Sequence, residues 1–211
     1  MLVTGLVRKG NKVKIFFDDE SFIAVSYEVA MESGLRKNDA LTEEEKTALI
    51  RENELFELKN SAFRYLSRRI HSRNELRLKL VQKKYDHKLI YEVLDYLQDK
   101  NYLNDTEFAE KFALEKITLN KIGVHKVKGE LLKKGVDREI IESVLSKFDD
   151  DPVILQNAEK LARKKLDQLS RKDSNKIQKK QKLYQFLRSK GFKSEIISQI
   201  IEKIDLESDD L

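Results

Sequence analysis

Apolar residues recur at helical spacing through the C-terminal two-thirds of the chain, and one pattern occurs there three times. Each copy has apolar residues at i and i+4, a short turn, and then apolar residues at i, i+1, i+4 and i+5. This pattern predicts two amphipathic helices joined by a tight turn. The copies agree at seven apolar positions and align without gaps, which indicates an internal repeat. The three segments are 76–94, 127–145 and 183–201.

The turn inside each copy carries its own signals. Gly135 and Gly191 stand where a helix ends on a left-handed residue, a conformation that glycine adopts without strain. The first copy has Lys84 at this position, so its turn is expected to be slightly strained or differently shaped. Side chains that can accept hydrogen bonds from the next helix follow directly, and the predicted N-caps are Asp86, Asp137 and Ser194.

A further helix is predicted ahead of each pair, over 61–69, 105–119 and 152–169. Pro152 suits the first position of a helix, and Ser72 with Glu75 forms a capping box that starts the second helix of the first copy. Each unit is therefore a three-helix bundle. The predicted fold is mainly α, with three tandem three-helix repeats forming an elongated curved rod. The predicted repeats are 61–103, 104–150 and 151–211.

Residues 1–60 follow a different pattern and are predicted to form a small N-terminal β-hairpin and α extension. Runs rich in β-branched and aromatic residues predict two strands and allow a third, at 2–7, 13–17 and 22–25. A helix over 27–33 is expected to end at Gly34, and a capping box at Thr42 opens a helix towards Lys59. The extension is expected either to cover the exposed end of the first repeat or to contact a partner.

Composition narrows the class of protein. Charged residues make up 37% of the chain and hydrophobic residues 40%, whereas about 25% charged is typical of a compact domain. The absence of cysteine excludes disulfides and thiolate metal sites. No run approaches the ~18 apolar residues of a membrane span, and the N-terminus lacks the pattern of a signal peptide. We expect a soluble cytoplasmic protein that does not bind membranes.

The net charge of +5 conceals two basic blocks. Residues 64–88 contain nine Lys and Arg against two acids, and residues 163–193 contain twelve against two. The rest of the chain is acidic, with acidic clusters at 149–151 and 207–210. Two basic blocks on an otherwise acidic chain favour a polyanionic partner such as nucleic acid. The alternative is a pair of solvated helix faces.

Motifs that would indicate catalysis are absent from the sequence. The histidines His71, His87 and His125 are not spaced as metal ligands, and no GxSxG elbow or phosphate-binding glycine loop occurs. The acidic clusters at 43–45 and 149–151 stand at predicted helix starts, where the helix dipole accounts for them. We predict that the protein is not an enzyme and that it has no metal and no cofactor. A nuclease with scattered carboxylates is the weaker alternative.

The first repeat carries the richest predicted surface. Its arginines recur at i, i+4 on two successive helices, which predicts two rows of guanidinium groups that meet phosphates or the carboxylates of a protein partner. Phe63, Tyr65 and Tyr102 lie at apolar positions and are predicted to be core residues. The partner-binding residues predicted here are Arg64, Arg68, Arg69, Arg73 and Arg77.

The third repeat is rich in lysine, which favours salt-sensitive contact with a nucleic-acid backbone. The predicted DNA-binding residues are Lys176, Lys179, Lys180, Lys182, Arg188 and Lys190.

Several of these motifs together resemble the signature of the RecX family, whose members regulate the RecA recombinase. The matching stretches run in order along the chain and cover about residues 58–205. In the second repeat, 129–136 (GELLKKGV) is similar to the family's EL-x-x-KG-[IV] motif. The first-repeat stretches are AFRYLSRR at 62–69, SRNEL at 72–76, YLND at 102–105 and Phe108-Ala109.

The resemblance implies a protein, expected to be monomeric, that binds the RecA nucleoprotein filament and inhibits its recombinase, ATPase and co-protease activities. It also implies affinity for single- and double-stranded DNA. Two positions depart from the family pattern, since Asn101 and Lys84 stand where glycine is usual. A general DNA-binding scaffold that acts without RecA, and a structural hub for another protein, are the alternatives.

Overall fold

The computed structural model describes residues 1–149, 151–170 and 175–209, with side chains of the last helix described up to Ile204. Some residues of the charged segments lie outside the described residues, namely Asp150 and Asp210 of the acidic clusters and Arg171 and Lys172 of the second basic block. The fold is mainly α with a small N-terminal sheet, as the sequence predicts.

The sheet has three antiparallel strands in the order β1-β2-β3, so the third strand forms as well as the predicted hairpin. A β-bulge between Val3 and Gly5 shifts the register of β1 against β2. Alternate residues of β2 point inward, and Val13, Ile15 and Phe17 are buried. The strands are β1 (Val3–Lys9), β2 (Lys12–Phe17) and β3 (Phe22–Ser26).

Two helices cover the inner side of the sheet, α1 (Tyr27–Glu32) and the N-terminal half of α2 (Glu43–Leu66). The predicted capping box of α2 is present, with Thr42 Oγ accepting from the Glu45 N–H at 3.1 Å. Buried Asn53 on α2 accepts from the backbone N–H of Ser26 at 2.7 Å, which fixes the end of β3 on the helix.

Helix α2 corrects the prediction of two helices meeting near residue 60. It is one continuous helix, because Leu58 and Ala62 stand i, i+4 on the same buried face and no proline or glycine interrupts them. Its C-terminal half is the first helix of the first repeat. The predicted extension of this helix to Arg69 is also wrong, since Leu66 is its last residue and Ser67 is its C-cap.

The three predicted three-helix units are present. The first repeat combines the end of α2 with α3 (Arg73–Val81) and α4 (His87–Asp99). The second comprises α5 (Asp105–Thr118), α6 (Val124–Lys133) and α7 (Arg138–Ser146). The third comprises α8 (Pro152–Ser170), α9 (Lys176–Ser189) and α10 (Ser194–Asp209).

The chain divides into two compact units, residues 1–71 with 76–103, and residues 72–75 with 104–211. In the first unit, the sheet and the first repeat have separate hydrophobic clusters, and α2 contributes to both. In the second unit, the second and third repeats share one core, in which Phe108, Val127, Ile154 and Leu183 are all buried. The predicted division into repeats at 60, 103 and 150 remains a prediction.

The repeat turns follow the expected conformations. Gly135 and Gly191 have φ of +73° and +89°, and Lys84 adopts the same left-handed region at +63°. Asp86 and Asp137 cap α4 and α7 as predicted, Asp86 accepting from two backbone N–H groups of the first turn and Asp137 from one. The capping role predicted for Ser194 is wrong, because Ser194 is the first residue of α10. Lys193 stands at the position of the other caps, and its ammonium lies 2.5 Å from Asp149 Oδ1.

Candidate basic binding surfaces

A basic cleft of about 190 Å³ opens at the C-terminal end of α2 in the first unit. Arg64 lies in the last turn of the helix and Arg68 in the turn that follows it, and both side chains are exposed. Lys83, from the turn that follows α3, supplies a third cation. The lining contains no acidic residue: Ser61, Arg64, Tyr65, Arg68 and Lys83.

Hydrogen bonds order one wall of this cleft. Arg64 Nη2 donates to Ser61 Oγ at 3.2 Å, and the Ser61 and Tyr85 hydroxyls lie 3.0 Å apart. Ser61 is buried, so its hydrogen bonds with Arg64 and Tyr85 hold the base of the cleft in place. The Lys79 ammonium lies 5.0 Å from the centre of the Tyr65 ring, which adds a further cation beside the lining. The arrangement suits a bound anion.

The two predicted arginine rows are only partly formed. Arg64 and Arg68 are not successive residues on one helical face, because the helix ends between them at Leu66. They still converge, since both line the cleft. Arg69 is exposed in the same turn, and its Nη1 donates to the carbonyl of Ile70 at 2.7 Å.

The other two predicted arginines stand one turn apart on α3, and both are half-buried. The backbone N–H of Arg73 donates to Asp105 Oδ1 at 2.7 Å. Burial raises the pKa of the Asp105 carboxyl above its ordinary value of 3.8, although this hydrogen bond and the charge of Arg73 act in the opposite direction. Arg77 does not line the basic cleft. The cleft therefore contains Arg64 and Arg68 from the predicted set, and Lys83 in addition.

The predicted DNA-binding residues lie on or just after α9. Lys176, Lys179 and Lys182 follow one another in three-residue steps along α9, so this row turns through about 120° around the helix, and Lys179 is half-buried. Arg188 stands six residues beyond Lys182, about 120° further around the helix. The remaining members are half-buried: Lys180 within α9, and Lys190, the C-cap residue, whose ammonium lies 5.5 Å from the Phe186 ring.

The prediction that three aromatic residues belong to the core is wrong for one of them. Tyr102 is 58% exposed, and its ring meets the half-buried Phe63 edge-on at 5.2 Å. Its apolar neighbour Leu103 occupies the buried position instead. The sequence alone does not show which of Tyr102 and Leu103 is buried. Tyr102 lies in the turn after α4, where helical periodicity no longer applies.

Sequence reasoning did not identify Lys83 as part of the site. Lys83 follows α3 in the sequence, and only the packing of the first repeat brings it to Arg64 and Arg68. Arg64 also lines a neighbouring pocket of about 640 Å³ between α2 and the sheet, where Lys12 Nζ lies 3.0 Å from Glu57 Oε1. That pocket has charges of both signs, so the smaller cleft is the more selective for anions.

The described residues contain no group of three or more His, Asp or Glu side chains placed to hold a metal ion. Within the same residues, none of the helices is long and apolar enough to cross a membrane. His71 is buried and its Nδ1 lies 3.0 Å from the carbonyl of Arg69, so this histidine supports the turn after α2.

Three successive three-helix units, preceded by a three-stranded sheet, place the chain among helical tandem-repeat proteins. Family models match each unit: RecX, first three-helix domain at 59–97, RecX, second three-helix domain at 104–145, and RecX, third three-helix domain at 153–201. The chain belongs to the RecX family.

Relatives are similar in sequence to this chain over nearly its whole length. The chain is 32% identical to the regulatory protein RecX of Clostridioides difficile (strain 630) over 197 residues, which cover 93% of this chain and 91% of the relative. It is also 32% identical to that of Clostridium perfringens (strain SM101 / Type A), with 93% and 92% covered.

Solved structures agree in fold. A crystal structure of a regulatory protein RecX matches with a TM-score of 0.78 over 95% of this chain and 98% of that one, at 20% identity. RecX from Lactobacillus salivarius matches with a TM-score of 0.66 and 29% identity, over 72% of this chain and 97% of that one.

Proposed function

We propose that this protein is a non-enzymatic cytoplasmic regulator that binds the RecA nucleoprotein filament as a monomer and inhibits its recombinase, ATPase and co-protease activities. The relatives that cover nearly all of the chain are regulatory proteins RecX. The observation that carries the assignment of a binding surface is the convergence of Arg64, Arg68 and Lys83 on one cleft without acidic residues.

The chemistry of the cleft fits an anionic surface. Guanidinium groups bind carboxylates and phosphates through paired N–H donors, and such charge-assisted bonds are among the stronger polar contacts between macromolecules. A recombinase filament offers both anions, because acidic side chains lie on the protein and phosphates on its DNA. We assign the cleft to a carboxylate of RecA and the lysines of α9 to the DNA backbone.

The assignment of the cleft is tested with the double variant Arg64→Glu/Arg68→Glu. Wild-type protein at stoichiometric ratios should slow DNA-dependent ATP hydrolysis by RecA and strand exchange, and this variant should lose most of the inhibition. The control variant is Arg36→Glu/Arg138→Glu, which makes the same charge change at exposed arginines outside the cleft. Circular dichroism should give the same helical content for all three proteins.

Two results would contradict the proposal. If wild-type protein leaves both RecA reactions unchanged, the regulatory function is wrong. If the cleft variant and the control variant inhibit equally, the cleft is not the binding surface. The variant Arg68→Glu/Arg73→Glu/Arg77→Glu, which follows from the sequence alone, is less informative because Arg73 and Arg77 are half-buried and their replacement also disturbs packing.

The second candidate function is a DNA-binding scaffold that acts without RecA, and the row of lysines on α9 favours it. This candidate predicts that inhibition of RecA disappears when free DNA is in excess, because the scaffold would act only by competing for DNA. Charge reversal at Lys176, Lys179 and Lys180 should then abolish every effect. Under the leading proposal the same variant chiefly loses affinity for DNA and keeps its affinity for RecA.

A further inference from the structure

The outer face of the N-terminal sheet is exposed among the residues that the structure describes. Its inner side packs on α1 and α2, but Val7 and Phe22 on the outer side are 54% and 51% exposed. The strand register aligns the outward residues in three rows across the sheet. The first row is Gly5, Phe16 and Phe22, the second is Val7, Lys14 and Ala24, and the third is Lys9, Lys12 and Ser26.

Two aromatic rings and a lysine form the centre of this face. The Phe16 and Phe22 rings lie 5.8 Å apart on neighbouring strands at an interplanar angle of 41°. The Lys14 ammonium lies 4.5 Å from the centre of the Phe22 ring. Lys9 and Lys12 lie side by side at one end of the hairpin, where Lys9 is exposed and Lys12 pairs with Glu57.

The outward rows contain no acidic residue. An acidic turn formed by Asp18, Asp19 and Glu20 lies beyond the Phe16 end, and at the opposite end the carboxylate of Glu57 pairs with Lys12. Charge is therefore graded along the face, from the acidic turn past the two rings to Lys14 and Lys9. An extended polyanion with apolar rings fits this gradient if its rings lie on the phenylalanines and its charges lie towards the lysines.

We propose that the outer face of the sheet, defined by Lys9, Lys14, Phe16 and Phe22, binds single-stranded nucleic acid by base stacking. Unpaired bases stack on exposed aromatic side chains of antiparallel sheets, and lysines beside them contact the phosphates. The face is about 10 Å wide, since neighbouring strands lie about 4.8 Å apart, so it holds about two nucleotides. The flanking base displaces the Lys14 ammonium from the Phe22 ring, because stacking is the stronger of the two contacts.

This proposal separates two roles of the N-terminal extension. The inner residues Val13, Ile15 and Phe17 are buried in a hydrophobic cluster with Leu49 and explain why the extension folds on α2. They do not explain why the opposite face has two adjacent phenylalanines, which an exposed strand surface has no packing reason to contain. The proposed nucleic-acid site does not require RecA, so it can be confirmed or refuted independently of the proposed regulatory function.

The chain contains no tryptophan, so Phe22→Trp introduces a single indole at the proposed site. A base that stacks on the indole should quench its fluorescence. Oligo(dT) of about 12 nucleotides, added to the full-length variant, should quench it by more than half at saturation. The control is Met31→Trp, an equally exposed position on α1, the helix that covers the inner side of the sheet; its fluorescence should stay nearly unchanged.

Two further probes distinguish stacking from attraction of charge alone. An abasic oligomer of the same length has the phosphates without the bases, and a blunt duplex has bases that are already stacked. Both should quench much less than oligo(dT). Equal quenching by the abasic oligomer would overturn the stacking site, as would an unchanged signal with oligo(dT) under conditions where the chain binds it.

Affinity provides an independent measurement. Phe22→Ala should weaken oligo(dT) binding about tenfold, because it removes one stacked base, and should leave duplex binding within about twofold. Lys14→Glu should weaken oligo(dT) binding at low salt and have little effect at high salt. Phe22 is half exposed, so these variants should fold as wild type. Unchanged oligo(dT) affinity in both variants would show that the surface is instead a site for another class of partner or has no ligand.

Discussion

Gly135 and Asn74 pack so closely that a Cβ atom on Gly135 would lie 2.5 Å from the Cβ of Asn74. Lys134 takes part in two hydrogen bonds that hold the same turn: its carbonyl accepts from Ser72 Oγ at 2.7 Å, and its ammonium donates to Glu75 Oε1 at 2.6 Å. Residues 72–75 therefore bind the turn after α6. Glycine is required at position 135 for two reasons, its φ of +73° and its contact with Asn74.

Gly135→Ala is expected to lower the free energy of unfolding by about 2–4 kcal/mol. The left-handed backbone accounts for about 1–2 kcal/mol and the overlap with Asn74 for most of the rest. Gly10→Ala is the matched control, because Gly10 has φ of +64° but no atom within 4 Å of the added Cβ. Urea unfolding monitored by circular dichroism should place the control loss near 1 kcal/mol.

The contact with Asn74 is tested by a second substitution. Asn74→Gly removes the side chain that the new methyl group meets, so it should recover part of the loss in Gly135→Ala. Additive losses in the double variant would contradict the close contact and leave the backbone conformation as the whole cause.

Lys84→Gly is expected to raise the free energy of unfolding by about 0.5–1 kcal/mol. Lys84 has φ of +63°, which costs about 1–2 kcal/mol in a residue with a Cβ, and glycine regains this while losing about 0.5–1 kcal/mol through its more flexible unfolded state. Lys83→Gly, at a neighbouring position without positive φ, should instead be destabilising. A chemical denaturation midpoint that falls for Lys84→Gly would contradict the assignment of strain.

The repeat turns show which structural features can be predicted from the sequence. Gly135, Gly191 and the departure at Lys84 are local signals. The two glycines adopt the expected left-handed conformation, and Lys84 adopts it as well, which is the strained one of the two turn shapes expected there. Asp86 and Asp137 cap their helices for the same reason, since a cap depends only on residues two or three positions away. The three-helix units follow from such signals together with the repeated apolar spacing.

Structural features that depend on contacts between residues distant in sequence could not be predicted in the same way. The continuity of α2 depends on two clusters that bury its opposite halves, the sheet at one end and the first repeat at the other. The basic cleft depends on where α2 ends and on packing that brings Lys83 to Arg64. The spacing of Arg64 and Arg68 suggested a helical row, whereas the structure places Arg68 in a turn.

Asp105 should make the unfolding free energy depend on pH. Burial raises its pKa above 3.8 in the folded state, so the folded protein binds the proton more tightly than the unfolded protein does. This group therefore contributes most to stability below pH 3.8, and the contribution is lost as the pH rises through the folded-state pKa. Asp105→Asn keeps an acceptor for the Arg73 N–H but carries no charge.

The stability of Asp105→Asn relative to wild type should therefore increase between pH 4 and pH 7. Urea unfolding at several pH values measures this difference. Asp167→Asn, which removes an exposed carboxylate from α8, is the control and should show a smaller change. A relative stability of Asp105→Asn that falls with rising pH would mean that the hydrogen bond from Arg73 outweighs the cost of burial.

The row of Lys176, Lys179 and Lys182 on α9 should determine how binding of DNA depends on salt. Each lysine that neutralises a phosphate releases a counterion, so the slope of log affinity against log salt changes by about 0.9 per contact. Replacing the three lysines with glutamine should make this slope less steep by about 2–3, measured by fluorescence anisotropy with a duplex over a range of salt concentrations.

The control replaces Lys111, Lys133 and Lys147 of the second repeat, which removes the same total charge. Lys111 and Lys147 already pair with Glu107 and Glu110, so the control should change the slope by less than 1. Equal changes in both variants would mean that the affinity for DNA follows the net charge of the chain and not this row.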